Sequence, residues 1–244
     1  MEDRVLLMMG ASSDVGIRYI EGYGKSYKKI YAHYNSNDKE LQRLISEGYD
    51  NIEPVQCDLL DKESIEHMLS EIIDSGNQPS HIIFLPARKT QLIKIEETSL
   101  EDVKMDLELQ VIASSMAVQR FIPYMKEVKF GRICFMLSSV TYQPVTYNYS
   151  YMISKYALLG EVKALAKELA PFGITVNAIS PTMIDTKFVA DTSPFVIKKM
   201  LDMSPLKRLA ETNDIVPAID FFMTEECRYI TGDNLLVSGG AMIG

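Results

Sequence analysis

The sequence predicts an α/β fold: a single domain on a parallel sheet with helices covering both faces. Strand-length apolar runs alternate with helix-length amphipathic segments along the 244 residues. The strand runs are continuously apolar rather than alternating, as a sheet buried on both sides requires. No Pro/Gly/Ser linker, internal repeat or low-complexity tract breaks the alternation.

The run VLLMMG at 5–10 leads into a helix over 15–25. IYAHY at 30–34 precedes a helix over 39–47, and IEPVQCDL at 52–59 precedes one over 62–73. HIIFLPA at 81–87 is followed by a long helical stretch, 100–126. RICFML at 132–137 precedes a helix over 151–169. ITVNAIS at 174–180 leads into a less regular segment, and LLVSG at 235–239 ends the series. The first turn, Gly10-Ala11-Ser12-Ser13-Asp14-Val15-Gly16, joins strand to helix. Such a turn presents backbone N–H groups and a positive helix end to a pyrophosphate. Gly10 allows the tight turn and Gly16 a close helix–sheet approach. On this stretch alone, a plain strand–helix turn is the other reading.

Composition narrows the function classes. The net charge is −8 and the pI about 5.0, with no basic block, a poor match for nucleic acid or an anionic membrane. Three scattered cysteines and three scattered histidines have no metal-ligand spacing, so no metal site is expected. Dispersed cysteines read as free thiols of a reducing compartment. With no run long enough for a spanning helix and no signal-type segment, the expected location is the cytoplasm.

The stretch Ser138 to Lys155 carries chemistry. Tyr151 follows Ser138, and Lys155 lies four residues beyond Tyr151, one helical turn away on the same face. An ammonium near a phenol favours phenolate, and a hydroxyl from another segment completes a site for a carbonyl or alcohol oxygen. This is general acid/base chemistry without histidine. A solvated Tyr and Lys on a helix face is the alternative, and context has to decide.

That context is a family resemblance. G-A-S-S-x-x-G after the first strand, Asp58 after the third, Ser138, Tyr151, Lys155, Asn177-Ala178-Ile179-Ser180-Pro181, Tyr229-Ile230-Thr231-Gly232 and Gly239-Gly240 stand in family order. The whole chain resembles the short-chain dehydrogenases/reductases, above all the β-ketoacyl-ACP reductase-like branch. The resemblance implies a Rossmann-type, doubly wound sheet of seven parallel strands, a nicotinamide cofactor, a small-molecule carbonyl or alcohol substrate and a homo-oligomer, tetramer or dimer. It implies Ser138, Tyr151 and Lys155 as catalytic, with Gln110 at the place where many members carry an Asn that supports a proton relay. Spacing from Gly131 and from Tyr151 selects Ser138 over Ser139. It implies cofactor contacts from Gly10, Ser12, Ser13, Val15 and Gly16, from Tyr34, Asn35 and Ser36, from Asp58, Leu59 and Ala87, from Tyr151 and Lys155, and from Pro181, Ile184 and Thr186. It also implies a substrate lid over 187–210, whose Phe188, Val189, Phe195, Met200 and Leu201 either meet an apolar substrate or only pack the lid.

Four departures qualify this. Asp14 replaces the turn's middle glycine; it either faces the phosphates and repels them or caps the first helix, the reading favoured here. Arg88 replaces a glycine facing the cofactor and either answers Asp14 or a phosphate, or is solvated. Gln110 adds a methylene to the relay amide. The tip of the second strand, Tyr34-Asn35-Ser36-Asn37, carries neither the Asp that binds a ribose diol nor an Arg, which favours NADP(H) over NAD(H). A second overall reading stays open: a degenerate member that binds a dinucleotide or ligand as a sensor without efficient turnover.

Overall fold

A computed structural model describes residues 4–89 and 92–243 of the chain. Seven strands, β1 (Val5–Met9), β2 (Lys29–Tyr34), β3 (Ile52–Gln56), β4 (His81–Phe84), β5 (Gly131–Met136), β6 (Ile174–Pro181) and β7 (Asn234–Val237), form one sheet in the order β3-β2-β1-β4-β5-β6-β7. Every neighbouring pair is parallel. The strand order reverses between β1 and β4, so their C-terminal ends open a crevice suited to a ligand.

The helices are α1 (Asp14–Tyr23), α2 (Lys39–Ser46), α3 (Lys62–Asp74), α4 (Leu100–Leu107), α5 (Ala113–Val128), α6 (Tyr149–Leu169), α7 (Pro194–Met203) and α8 (Thr212–Met223). The sheet separates two cores, and β1 serves both. Val5, Leu7 and Met9 join Leu69, Phe121 and Leu158 on one side; Leu6 and Met8 join Ile20, Leu44 and Ile219 on the other. This is the two-residue alternation of a strand, written entirely in apolar residues because both faces are covered. Each such side chain contributes roughly 1.5–3 kcal/mol on burial.

Two differences from the sequence reading bear on function. The long helix expected over 100–126 is interrupted: Glu108–Ile112 form a π-helical turn between α4 and α5. The irregular segment after β6 contains α7 and α8. Pro217 inside α8 masked its helical signal, yet Ile215, Val216, Ile219 and Phe222 bury its apolar face. No helix among the described residues is long and apolar enough to cross a membrane, and none of them form a group of three or more His/Cys/Asp/Glu able to hold a metal. All three cysteines are buried and free.

Buried polar groups tie the N-terminal ends of the inner strands β4 and β5. His81 is 1% exposed and sits beside Arg132, itself 2% exposed, in the β4–β5 register. The Arg4 Nε donates to His81 Nε2 at 3.3 Å, and Ser80 Oγ bonds its Nδ1 at 2.9 Å. Arg132 donates to the Gly131, Gly173 and Thr224 carbonyls. Burial, then the Arg4 and Arg132 charges, push His81 down to about 3.

His81 is therefore neutral in the fold down to about pH 3, whereas an unfolded histidine protonates near 6.5. Its contribution is present above pH 6.5 and is lost as the pH falls below it, by about 1.4 kcal/mol per pH unit. Urea midpoints at pH 7 and 4.5 should show His81→Gln losing roughly 2–3 kcal/mol less stability across that interval than the wild type.

Candidate active site

The first turn is built by steric exclusion. Gly10 takes φ +77°, and a Cβ there would press on Pro86 and Leu85 at 3.3–3.4 Å. At Gly16 a Cβ would lie 2.4 Å from the Ala11 carbonyl oxygen, so only glycine lets α1 start so close to the turn. Ser13 is the N-cap, its Oγ accepting from Gly16 N at 3.2 Å. This corrects the expectation that Asp14 caps α1. Asp14 is the first helical residue, and its carboxylate turns across to accept from Lys187 N at 2.7 Å, with Lys187 Nζ at 3.5 Å. The carboxylate thus neither caps nor stands free at the turn; it spans to the segment after β6.

His33 was not legible as part of the turn. Its Nδ1 accepts from Gly10 N at 2.9 Å, and its Nε2 bonds the Cys57 carbonyl at 3.0 Å. The first contact leaves Nδ1 unprotonated, so Nε2 carries the hydrogen. Burial lowers the His33 pKa, which preserves that neutral form. The available signal was a histidine inside the buried run of β2. Around it, Tyr34 is half-buried, while Asn35, Ser36 and Asp58 are exposed and Leu59 is buried. One Asp58 oxygen accepts from Leu60 N at 3.0 Å, and Asp61, not Asp58, caps α3.

Arg88 reaches neither Asp14 nor the first turn. Its guanidinium meets Asp102 at 3.0 Å and Asp106 at 3.8 Å, both on α4. Its neighbour Lys89 pairs with Asp191, 2.6 Å away across the crevice. Ala87 lies half-buried between these and β4. Ile93 N donates to the Tyr147 carbonyl at 2.8 Å, joining the loop after β4 to the one before α6. There Tyr147 holds φ +63°, uncommon for a bulky side chain.

The structure brings Ser138, Tyr151 and Lys155 together. Ser138 follows β5 in extended conformation and caps a short 3-10 turn, Ser139–Thr141. Its hydroxyl interacts with the Tyr151 phenol, whereas Ser139 is buried. Lys155 is 1% exposed and donates from Nζ to the Met136 carbonyl at 2.7 Å; Nζ lies 5.4 Å from the Tyr151 ring centroid. The expected lowering of the phenol by the ammonium is absent: burial pushes Tyr151 up to about 12, against the Ser138 interaction. Burial pushes Lys155 down to about 7, opposed by the Asp106 charge.

The π-helical turn carries Gln110 fully inside. Its Nε2 donates to Ser154 Oγ at 2.8 Å, and that hydroxyl donates to the Tyr151 carbonyl at 2.8 Å. Gln110 therefore braces the backbone of α6 and does not bond Lys155. Its Oε1 has no hydrogen-bond partner, and neither does Asp106 Oδ1.

Pro181, the last residue of β6, is buried, and beyond it Ile184 and Thr186 are half-buried, with Thr186 Oγ1 donating to the Ile184 carbonyl at 3.4 Å. An isolated bridge pairs Ile184 with Ala210, closing the base of the loop between them. Of the apolar residues there, Phe195 is 78% exposed, so it does not pack the loop; Val189, Met200 and Leu201 are half-buried.

A family model described as Enoyl-(Acyl carrier protein) reductase matches residues 25–242. The uncharacterized oxidoreductase YmfI of Bacillus subtilis (strain 168) is 30% identical over 242 residues, covering 98% of each chain. The 3-oxoacyl-[acyl-carrier-protein] reductase FabG of Staphylococcus aureus (strain Mu50) is 25% identical over 240 residues, 96% of each chain. The solved structure of YwfH, an NADPH dependent reductase involved in bacilysin biosynthesis, superposes with a TM-score of 0.89 at 20% identity, covering 99% of both chains.

The steric account of the turn has a direct check. Gly16→Ala should cost about 1–3 kcal/mol in thermal or urea unfolding, because α1 has to move off the Ala11 carbonyl. Gly160→Ala, on α6 with nothing within 4 Å of its added methyl, should instead be neutral or stabilising by up to about 1 kcal/mol.

Proposed function

Since the chain belongs to the short-chain dehydrogenase/reductase family, we propose that it is a nicotinamide-dependent oxidoreductase interconverting a carbonyl and a secondary alcohol. The observation that carries this is the Ser138 hydroxyl facing the Tyr151 phenol, with the buried Lys155 one turn further along α6.

The residues present fit a dinucleotide. The crevice between β1 and β4 ends at a turn that excludes a Cβ at Gly16, and the N–H groups of Asp14 and Val15 open the first turn of α1 with no acceptor four residues back in the helix. Gly10, Ser12, Ser13, Val15 and Gly16 would cradle the pyrophosphate, Asp58 and Leu59 the adenine, and Pro181, Ile184 and Thr186 the carboxamide. The nicotinamide supplies the hydride when bound. NADP(H) is the preferred form, because the Tyr34–Asn37 tip holds no carboxylate to repel a 2′-phosphate, and YwfH, of the same fold, is described as NADPH dependent.

The rest falls to this chain's own side chains. Ser138 holds the substrate oxygen. Tyr151, pushed up to about 12, is protonated at neutral pH and so stands ready to give its proton to the oxygen of a carbonyl being reduced. Lys155 would hold the ribose of a bound nicotinamide, and its ammonium balances the phenolate left behind. Gln110 keeps α6 in register through Ser154. The exposed Phe195 and Phe188 on the loop over the crevice suit a substrate with apolar surface.

Purified protein should oxidise NADPH with β-ketoacyl thioesters or simple ketones faster than it oxidises NADH, followed by nicotinamide absorbance. Tyr151→Phe should lower kcat by about 10²–10⁴-fold while leaving NADPH binding by calorimetry intact. Dinucleotide binding without turnover across that panel would favour a binding or sensor role, for which the Asp14 contact to Lys187 and the diverted Gln110 amide speak.

A further inference from the structure

Among the described residues, three buried side-chain oxygens lack a hydrogen-bond partner: Asp106 Oδ1, Gln110 Oε1 and Thr175 Oγ1. Two of them, Asp106 and Gln110, lie one turn apart where α4 runs into the π-helical turn, against α6. The carboxylate is the more demanding of the two. Asp106 is 4% exposed, and a buried charge is costly unless paired or bonded. Its one close cation, Arg88 at 3.8 Å, is too far for a hydrogen bond. An arrangement serving only the fold would satisfy that oxygen. Instead Asp106 lines a small cavity of about 90 Å³ together with Arg88, Asp102, Ser150 and Tyr151.

We propose that Asp106 is a positioning residue of this active site: a fixed negative charge, held by Arg88, that acts on the Tyr151–Lys155 pair from α4. This rests on the reading that Tyr151 and Lys155 carry the chemistry. The groups facing Asp106 are Arg88 from the loop after β4, Asp102 from its own helix, and Ser150, Tyr151 and Lys155 from α6. Burial raises the Asp106 carboxyl, and Ser150 and Arg88 oppose that rise. Asp106 in turn opposes the downward push of burial on Lys155. A neutral lysine would leave a phenolate at Tyr151 unbalanced. Asp106 thus stands between two cations in its influence, paired with Arg88 at 3.8 Å and acting through its charge on Lys155. Arg88 stands where the resemblance places a cofactor-facing glycine, and its guanidinium is committed to α4 instead.

The test reads Lys155 directly, in the ligand-free protein. The carbon-13 titration of its Cε, assigned by its loss in Lys155→Met, should have a midpoint about one pH unit lower in Asp106→Asn than in wild type, and Asp106→Glu should restore it. In turnover, Asp106→Asn should lower kcat several-fold at pH 7 with KM nearly unchanged, and the loss should shrink as the pH falls. Should the Asn variant fail to fold, Asp106→Ser removes the same charge with less volume. An unchanged Lys155 midpoint overturns the proposal, whatever happens to activity. So does a rise in KM alone, which would make Asp106 a substrate contact. If wild type turns over no nicotinamide, the functional reading fails, while the midpoint still decides this one.

Discussion

The site is organised around an ammonium group kept away from water. Lys155 is 1% exposed between the end of β5 and the body of α6, where the effective desolvation penalty of an ion is several kcal/mol. The structure offsets that penalty locally. The carbonyl of Met136, at the strand end where no further ladder partner is needed, accepts one of its hydrogens. Asp106 supplies the opposite charge from across the helix interface. Once Lys155 is fixed on that carbonyl, α6 has one rotation and one height relative to the sheet. Tyr151, a turn earlier, then meets Ser138 just beyond β5.

Much of the architecture was legible in the sequence because burial on both faces leaves a simple mark. The seven apolar runs became seven strands with small changes at their ends, and the glycines of the first turn occupy positions where a side chain would collide. Ser138, Tyr151 and Lys155 were legible because two of them share a helix and the third ends a strand, so spacing encodes their meeting. The remainder depended on contacts between distant segments. Asp14 and Lys187 are 173 positions apart, and nothing in either neighbourhood announces the other. The π-helical turn that buries Gln110 leaves the apolar pattern of a continuous helix intact. His33 looked like a lone histidine and instead bridges the N–H of the first turn to the strand beside it.

The residues that depart from the family pattern are not scattered noise. Asp14 grips the start of the loop after β6, Arg88 binds α4 through two carboxylates, and its neighbour Lys89 reaches Asp191 on that same loop. Three loops that meet at the crevice are therefore cross-linked by charge. With glycine at 14 and 88, Lys89–Asp191 alone of these ion pairs would remain.

The loop between Ile184 and Ala210 shows what this implies. At its base it is pinned by backbone hydrogen bonds, but α7 within it has no fully buried residue. Its outer part is held to the crevice walls by Asp14–Lys187 and Lys89–Asp191, pairs whose lysines lie open to solvent. Pairs of that kind are weak and are screened over a Debye length of about 8 Å at physiological ionic strength. Rising ionic strength therefore weakens what ties this loop to its neighbours, while the apolar cores beneath, which owe nothing to charge, are left as they are.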